Sequence, residues 1–317
     1  MALDRDRLNR APHQRGFALI VVIWVGVLLA LMAAAFSSAV RSRIRTTTSH
    51  AETVRAEALA DAGVRIAVLD LLAPGSAKSR RFPADGTPIS CAIGNQAAML
   101  IQAEDETGKV NLNTTSEELL MALFTGLGAE RAQALRITDR ILDFRDIDND
   151  KRSDGAERED YKKAGSNAGP KNSDFTSVDE LDQVLGIPPE LRDKAKPFLT
   201  TLSNQNGVDP LVATKALKAL LVRGASGILA RVQPESDGTS IFNNGELPPQ
   251  FISASPRNGY TLRAEAFLPS GARYVSEAIV DLPNGTAGGP IFRQWRRGTS
   301  RLLAGQALPS PQQLPPC

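Results

Sequence analysis

Four carboxylates fall at intervals that suit a hard cation. In the stretch ILDFRDIDNDKRSDGAEREDY, residues 141–161, Asp146, Asp148 and Asp150 alternate, and Glu157 stands twelfth when Asp146 is counted first. Alternating acids with a distal glutamate present oxygen ligands in the order of a calcium loop, which wraps an ion needing about six to eight oxygens. Two positions depart from that pattern: Lys151 stands where the turn glycine belongs, and Ser153 replaces the usual apolar residue. The alternative is a solvated loop whose acids are offset by Arg145, Lys151, Arg152 and Arg158. Spacing leaves both readings open.

Other chemistry has little to work with. The 317 residues hold only two histidines, His13 and His50, and general acid–base catalysis near neutral pH leans on that side chain. No GxSxG, HExxH, phosphate-binding Gly-Lys-Ser or dinucleotide GxGxxG motif occurs. A Ser–His–Asp hydrolase would have to use His50, close behind a long apolar segment. The two cysteines, Cys91 and Cys317, lie far apart and outside any CxxC, so a multi-cysteine metal site is excluded and a single disulfide is left open. The expectation is a binding or assembly protein, not an enzyme.

The acidic loop sits inside a block, 105–204, that reads helical. Thr115 with Glu118 has capping-box spacing ahead of Leu119, Leu120 and Phe124, and Gly126-Leu127-Gly128 then leads into a second helix over 129–144. Ser177 with Glu180 repeats the idea before Leu181, Val184 and Leu185, with Gly186-Ile187-Pro188 as the turn. Both look like helix-hairpin-helix units of the SAM-like sort, which elsewhere bind DNA through backbone amides and flanking basic residues. Residues 103–200 carry 14 Lys and Arg against 21 Asp and Glu, a net of −7. That sign opposes phosphate binding, so no nucleic acid is expected and the glycines read as packing turns.

Strand-like runs flank the block: 99–103 on one side, then 260–268 and 272–282 joined by the turn residues Pro269-Ser270-Gly271. Beyond 285 the chain turns rich in Gly, Pro, Gln and Ser, with Arg293, Arg296 and Arg297 around Trp295, and reads as a flexible tail over 286–317. Ahead of everything, residues 17–36 read FALIVVIWVGVLLALMAAAF, enough as a helix to span about 30 Å of bilayer core. The pattern does not stop there. Val40, Ile44, Ala51, Val54, Ala58, Ala62, Ile66, Leu69 and Leu72 continue an amphipathic stripe, Asp61 and Arg65 are spaced as a surface pair, and only Gly63 interrupts, at about 1 kcal/mol, before Pro74-Gly75. One helix over 17–72 is expected. A cleaved secretory signal ending at Ala33-Ala34-Ala35 is the rival.

Arg15-Gly16-Phe17 ahead of such a helix resembles a type IV prepilin leader. The resemblance implies a prepilin peptidase that cuts between Gly16 and Phe17 and methylates Phe17. The fifth mature position, usually Glu, holds Val21. That loss, the helical insert, the GKVNLNT stretch at 108–114 and the acidic loop together resemble the K-type minor pseudopilin of type II secretion systems. The fold it implies is α+β: a long N-terminal transmembrane and amphipathic helix on an antiparallel pilin-like β-sheet, with a large helical insertion. The domains would be a leader over 1–16, the helix over 17–72, a pilin-like domain over 73–104 and 205–285, the insert over 105–204, and the tail. The resemblance further implies calcium held by Asp146, Asp148, Asp150 and Glu157, with Asp143 and Asp160 beside them. It implies I-type and J-type partners in a pseudopilus-tip complex, and residence in the bacterial inner membrane with the N-terminus cytoplasmic and the soluble domain periplasmic. The alternative function is a membrane-anchored helix-hairpin-helix protein of DNA uptake.

Overall fold

The computed structural model describes residues 15–73, 80–166, 168–229, 246–254, 256–282, 288–299 and 310–317. The chain divides into two compact units, residues 1–55 and 56–317. One uninterrupted helix, α1 (Arg15–Leu72), supplies all of the described part of the first unit and the start of the second. Within the first unit, Leu19–Ser38 has a mean hydropathy of 2.9 and none of it is buried. An apolar helix with no protein cover meets the length and composition needed to cross a bilayer.

In the second unit, α1 packs on a five-stranded antiparallel sheet of order β1 (Ile89–Ile93), β2 (Ala97–Asp105), β5 (Gly259–Phe267), β6 (Arg273–Asp281) and β7 (Ile291–Arg297). The hairpin expected around Pro269-Ser270-Gly271 is β5–β6, with Gly271 at φ +87° in its turn. The helix face that meets the sheet is not the expected stripe. Ala56, Ala60, Gly63, Val64, Ala67, Val68 and Leu71 are buried, whereas Val54, Leu69 and Leu72 are exposed. Small residues win because helix and sheet approach closely: a Cβ on Gly63 would come within 2.6 Å of Met99 Cε and 2.8 Å of Ala264 Cβ. Asp61 does not pair with Arg65 as expected. Its Oδ1 accepts from Ser276 Oγ (2.6 Å) and Trp295 Nε1 (3.0 Å), and Arg65 stacks over the Trp295 ring.

The stretch expected to be a flexible tail is structured at both ends. Residues 291–297 form β7, and 310–317 return to β1, where Cys91 and Cys317 are disulfide-bonded. Between β2 and its neighbour β5 the chain leaves to build the helical domain: β3 (Val110–Asn111), α2 (Glu117–Gly126), α3 (Arg131–Arg145), α4 (Arg158–Lys163), α5 (Pro189–Ala195), β4 (Leu199–Thr200) and α6 (Lys215–Leu229). β3 and β4 pair in parallel. The domain runs past the expected boundary at 204, because Val208, Leu217, Leu221, Ala225 and Phe251 belong to its core. α6 lies against α2 at glycine contacts: a Cβ on Gly224 would sit 1.8 Å from the Ala122 carbonyl oxygen, and one on Gly126 2.2 Å from that of Leu220.

The cap of α2 is Ser116, not Thr115; its hydroxyl accepts from the Leu119 N–H. The second expected capping box holds a 3-10 turn, Val178–Gln183, capped by Ser177, and the Glu180 carboxylate turns instead to Lys171. Lys109 links domain to sheet. It is held between Glu106 (2.8 Å) and Glu104 (3.0 Å), and Glu106 also accepts from Thr261 on β5. Burial alone would lower the Lys109 pKa, but the two carboxylates hold it above the usual lysine value.

Candidate functional site

The acidic loop leaves the end of α3 and re-enters structure at α4. α3 carries its basic last residue, Arg145, into the fold, where the guanidinium donates to the carbonyls of Leu112 and Thr115. Phe144 stacks on Phe175 at 5.0 Å between ring centroids, forming an apolar floor. The loop is pinned from several sides. Arg152 Nε donates to Asp139 Oδ1 (3.1 Å), the Asp154 N–H donates to Asp139 Oδ2 (3.0 Å), and Arg152 also pairs with Glu117. Asn172, at φ +50°, donates from Nδ2 to the Asp148 carbonyl (2.9 Å), while its own N–H bonds the Phe144 carbonyl (3.0 Å).

Three of the expected ligands lie close enough to perturb one another. Asp143 is fully buried, and burial pushes its carboxyl up to about 6, aided by the Asp146 charge and opposed by the Arg152 N–H, 3.3 Å from Oδ2. Glu157 is buried as well and is also pushed up to about 6, first by burial and then by the charges of Asp143 and Asp146. Burial raises Asp146 too, and the Asp148 charge adds to it. Neither carboxylate oxygen of Glu157 has a partner at full hydrogen-bond geometry among the described residues, although the Arg158 N–H lies close enough to oppose the rise, and Asp146 Oδ1 has none. Buried oxygens of this kind cost about 1–3 kcal/mol each when nothing satisfies them. The loop backbone presses on the cluster: a Cβ at Gly155 would fall 1.9 Å from Asp143 Oδ2.

The remaining expected ligands behave differently. Asp148 Oδ1 accepts from the Asp150 N–H (2.8 Å), and both residues are exposed. Asp160 is turned away: Lys151 Nζ lies 3.0 Å from Oδ1, and Oδ2 accepts from the Glu157 N–H (3.1 Å) at the start of α4. Those bonds, Lys151 first, hold its carboxyl below the usual carboxylate range. As placed, no three Asp, Glu, His or Cys side chains among the described residues stand close enough to hold an ion. Like charges at this spacing oppose closer approach. The donor set nevertheless fits a hard divalent cation, because unpartnered carboxylate oxygens in a buried cluster are what such an ion takes up. Arg152, Asp139, Glu117 and Asn172 shape the site without any local sequence motif to announce them.

The turn of the second hairpin unit is occupied from within. The Leu185 N–H donates to Tyr161 Oη (3.1 Å), and Arg140 Nη1 donates to the Leu185 carbonyl (3.0 Å). Gly186, at φ +74°, leaves room for that guanidinium, since a Cβ there would be 1.6 Å from Arg140 Nη1. This turn packs against its own domain. At the other end of the chain, Gly16 and Phe17 lie in the first turn of α1, Val21 is exposed on it, and residues 1–14 of the expected leader lie outside the described residues.

Residues 98–204 match the family model described as type II secretion system (T2SS), protein K. A relative from Pectobacterium carotovorum subsp. carotovorum, "Type II secretion system protein K", is 26% identical over 212 residues, which are 60% of this chain and 63% of that protein. The chain therefore matches somewhat less than two thirds of that relative's length. Among solved structures, the fold matches the crystal structure of the GspK-GspI-GspJ complex from the enterotoxigenic Escherichia coli type 2 secretion system. The TM-score is 0.52 at 16% identity, covering 82% of this chain and 99% of that one.

Proposed function

We infer that this chain is a K-type protein of type II secretion, a reading supported by the match over 98–204 and by its relative, and that it works as a membrane-tethered minor pseudopilin that assembles with I-type and J-type subunits. One observation carries the reading. A single unbroken helix begins as an exposed apolar segment and ends as the element on which the sheet is built. Such a helix offers lipid or neighbouring helices one long surface, and no catalytic step is asked of it. The I- and J-type subunits would meet it there, in the inner membrane, with the soluble part in the periplasm. Prepilin peptidase would cut between Gly16 and Phe17 and methylate Phe17. A subunit with Val21 in place of the usual carboxylate lacks the group that meets a neighbour's N-terminal amine, which suits a position at the tip. The helical domain would cap that tip, so that assembly for export across the outer membrane starts from it.

Calcium belongs to the same proposal. Asp146 and Glu157 would supply the first ligands, with Asp143 and Asp148 beside them; Asp150 is a further candidate, and Asp160 must first leave Lys151. The ion would satisfy the unpartnered oxygens, neutralise the crowded charge and order the loop. A role in DNA uptake is not favoured: the helical block is acidic, and the Leu185 amide of its second hairpin already has an acceptor. Co-extraction tests the main reading. The full chain, solubilised in detergent with I- and J-type pseudopilins of the same bacterium, is expected to elute as one ternary complex. A chain that elutes alone, yet shifts DNA in a salt-dependent way, would reverse it.

A further inference from the structure

The two edges of the sheet are finished differently. At β1 the edge is closed by the chain's own C-terminus. The Ala92 N–H donates to the Pro315 carbonyl (2.8 Å), the Cys317 N–H donates to the Ala92 carbonyl (2.8 Å), Arg81 Nη1 donates to the Cys317 carbonyl (2.6 Å), and the disulfide to Cys91 makes the closure covalent. At β7 the described residues place nothing along the outer side. All seven of its residues are exposed or half-buried.

Register identifies the backbone groups that face outward. The Gly298 N–H donates to the Val275 carbonyl (2.9 Å), and the pairing continues as Arg297 with Ser276, Arg296 with Glu277 and Trp295 with Ala278. Antiparallel pairs alternate between bonded and non-bonded phases, so Gly298 and Arg296 bond inward while Trp295 and Arg297 turn their N–H and C=O groups out. The side chains add a sign. β7 contributes Arg293, Arg296 and Arg297 and no acid, while β5 and β6 together carry two arginines, Arg263 and Arg273, against Glu265, Glu277 and Asp281. Arg293 pairs with Asp281 and Arg296 with Glu277, yet their side chains remain 56% and 51% exposed, and Arg297 lies over the Tyr274 ring. Ile291 and Phe292, 62% and 40% exposed, give one end of the strand an apolar contact.

We propose that the β7 edge is a docking site for an extended acidic segment of another polypeptide, which adds to the sheet as a sixth strand. Outward amides and carbonyls supply the ladder, and the arginines select an acidic partner over a basic one. A second copy of this chain is a poor occupant, because two β7 edges would set arginine against arginine. This surface is distinct from the helix-to-helix contacts of the proposed assembly and stands or falls separately from it.

The probe is a fluorescent peptide of alternating Glu and Val, seven residues long to match β7, with its Lys–Val counterpart as control, titrated onto the full chain in detergent. The acidic peptide is expected to bind and to weaken as salt rises, and the basic one is not. Arg297→Pro removes one outward N–H that serves no inner bond, and should weaken binding roughly tenfold through the lost ladder bond and the ring set against the incoming strand. Arg297→Gln keeps the backbone and should weaken it only about threefold while flattening the salt dependence. In the unaltered protein, the Arg297 amide should exchange more slowly with the acidic peptide bound. Equal binding of both peptides, no binding of the acidic one, or an Arg297 exchange rate that the peptide leaves unchanged would overturn the proposal.

Discussion

Removing the charge of Glu157 should stabilise the ion-free protein and abolish its response to calcium. In Glu157→Gln the shape is kept and the ionisable group is lost. The carboxyl stands at about 6 in the fold against 4.5 as its ordinary value. The folded state therefore holds the proton more tightly, and this contribution is fully present below pH 4.5 and is lost as pH rises through 6. At pH 7 the shift corresponds to about 2 kcal/mol of destabilisation in the wild type, at about 1.4 kcal/mol per pKa unit. For a soluble domain of this size that is a melting-point rise of roughly 4–8 °C in the variant with chelator present. Added calcium should raise the wild-type midpoint, in proportion to the logarithm of its concentration above the dissociation constant, and leave the Gln variant where it was. Differential scanning calorimetry of the full chain in detergent at pH 4.5 and pH 7, with and without chelator, reads all of this. A variant that melts below the wild type in chelator, or one that keeps the full calcium shift, would refute the reasoning.

Three further outcomes follow from the packing. Gly224→Ala places a methyl group against the Ala122 carbonyl oxygen and should cost at least about 2 kcal/mol in urea unfolding, although alanine favours helices by about 1 kcal/mol. Breaking the Cys91–Cys317 bond by Cys317→Ser releases a link across a sequence separation of 226; chain entropy sets an upper limit of about 5 kcal/mol, and a loss of 2–4 kcal/mol is expected by the same assay. The same variant should speed amide exchange at Ala92, because the strap at β1 is then held only by hydrogen bonds.

Local chemistry told truest where one segment alone decided the outcome. The β5–β6 hairpin was readable because Pro269-Ser270-Gly271 stands between two strand-like runs, and the long apolar start of α1 because nothing within Leu19–Ser38 is charged. The buried face of α1 was misread for a physical reason. Large apolar residues such as Val54 and Leu69 mark a stripe by hydrophobicity, but the close approach at Gly63 selects Ala56, Ala60 and Ala67 instead. Strand β7 was hidden because six of its seven residues are exposed and three are arginines, so no alternation of burial signalled it. The boundary at 204 failed because α6 joins the helical core through Gly224, a contact with a helix about a hundred residues earlier. At the acidic loop the spacing pointed to Asp146 and Glu157. It could not show that Lys151 occupies Asp160, because the fold of the loop brings them together, nor that Arg152 and Asn172 set the loop's shape, because no local motif ties them to their partners Asp139 and Asp148.

The tether itself is tested most directly by mass analysis of the N-terminus of the protein recovered from membranes. The account predicts a chain that begins at Phe17 with one methyl group on its amine. A soluble product that starts near Ala35, with the apolar half of α1 removed, would contradict it.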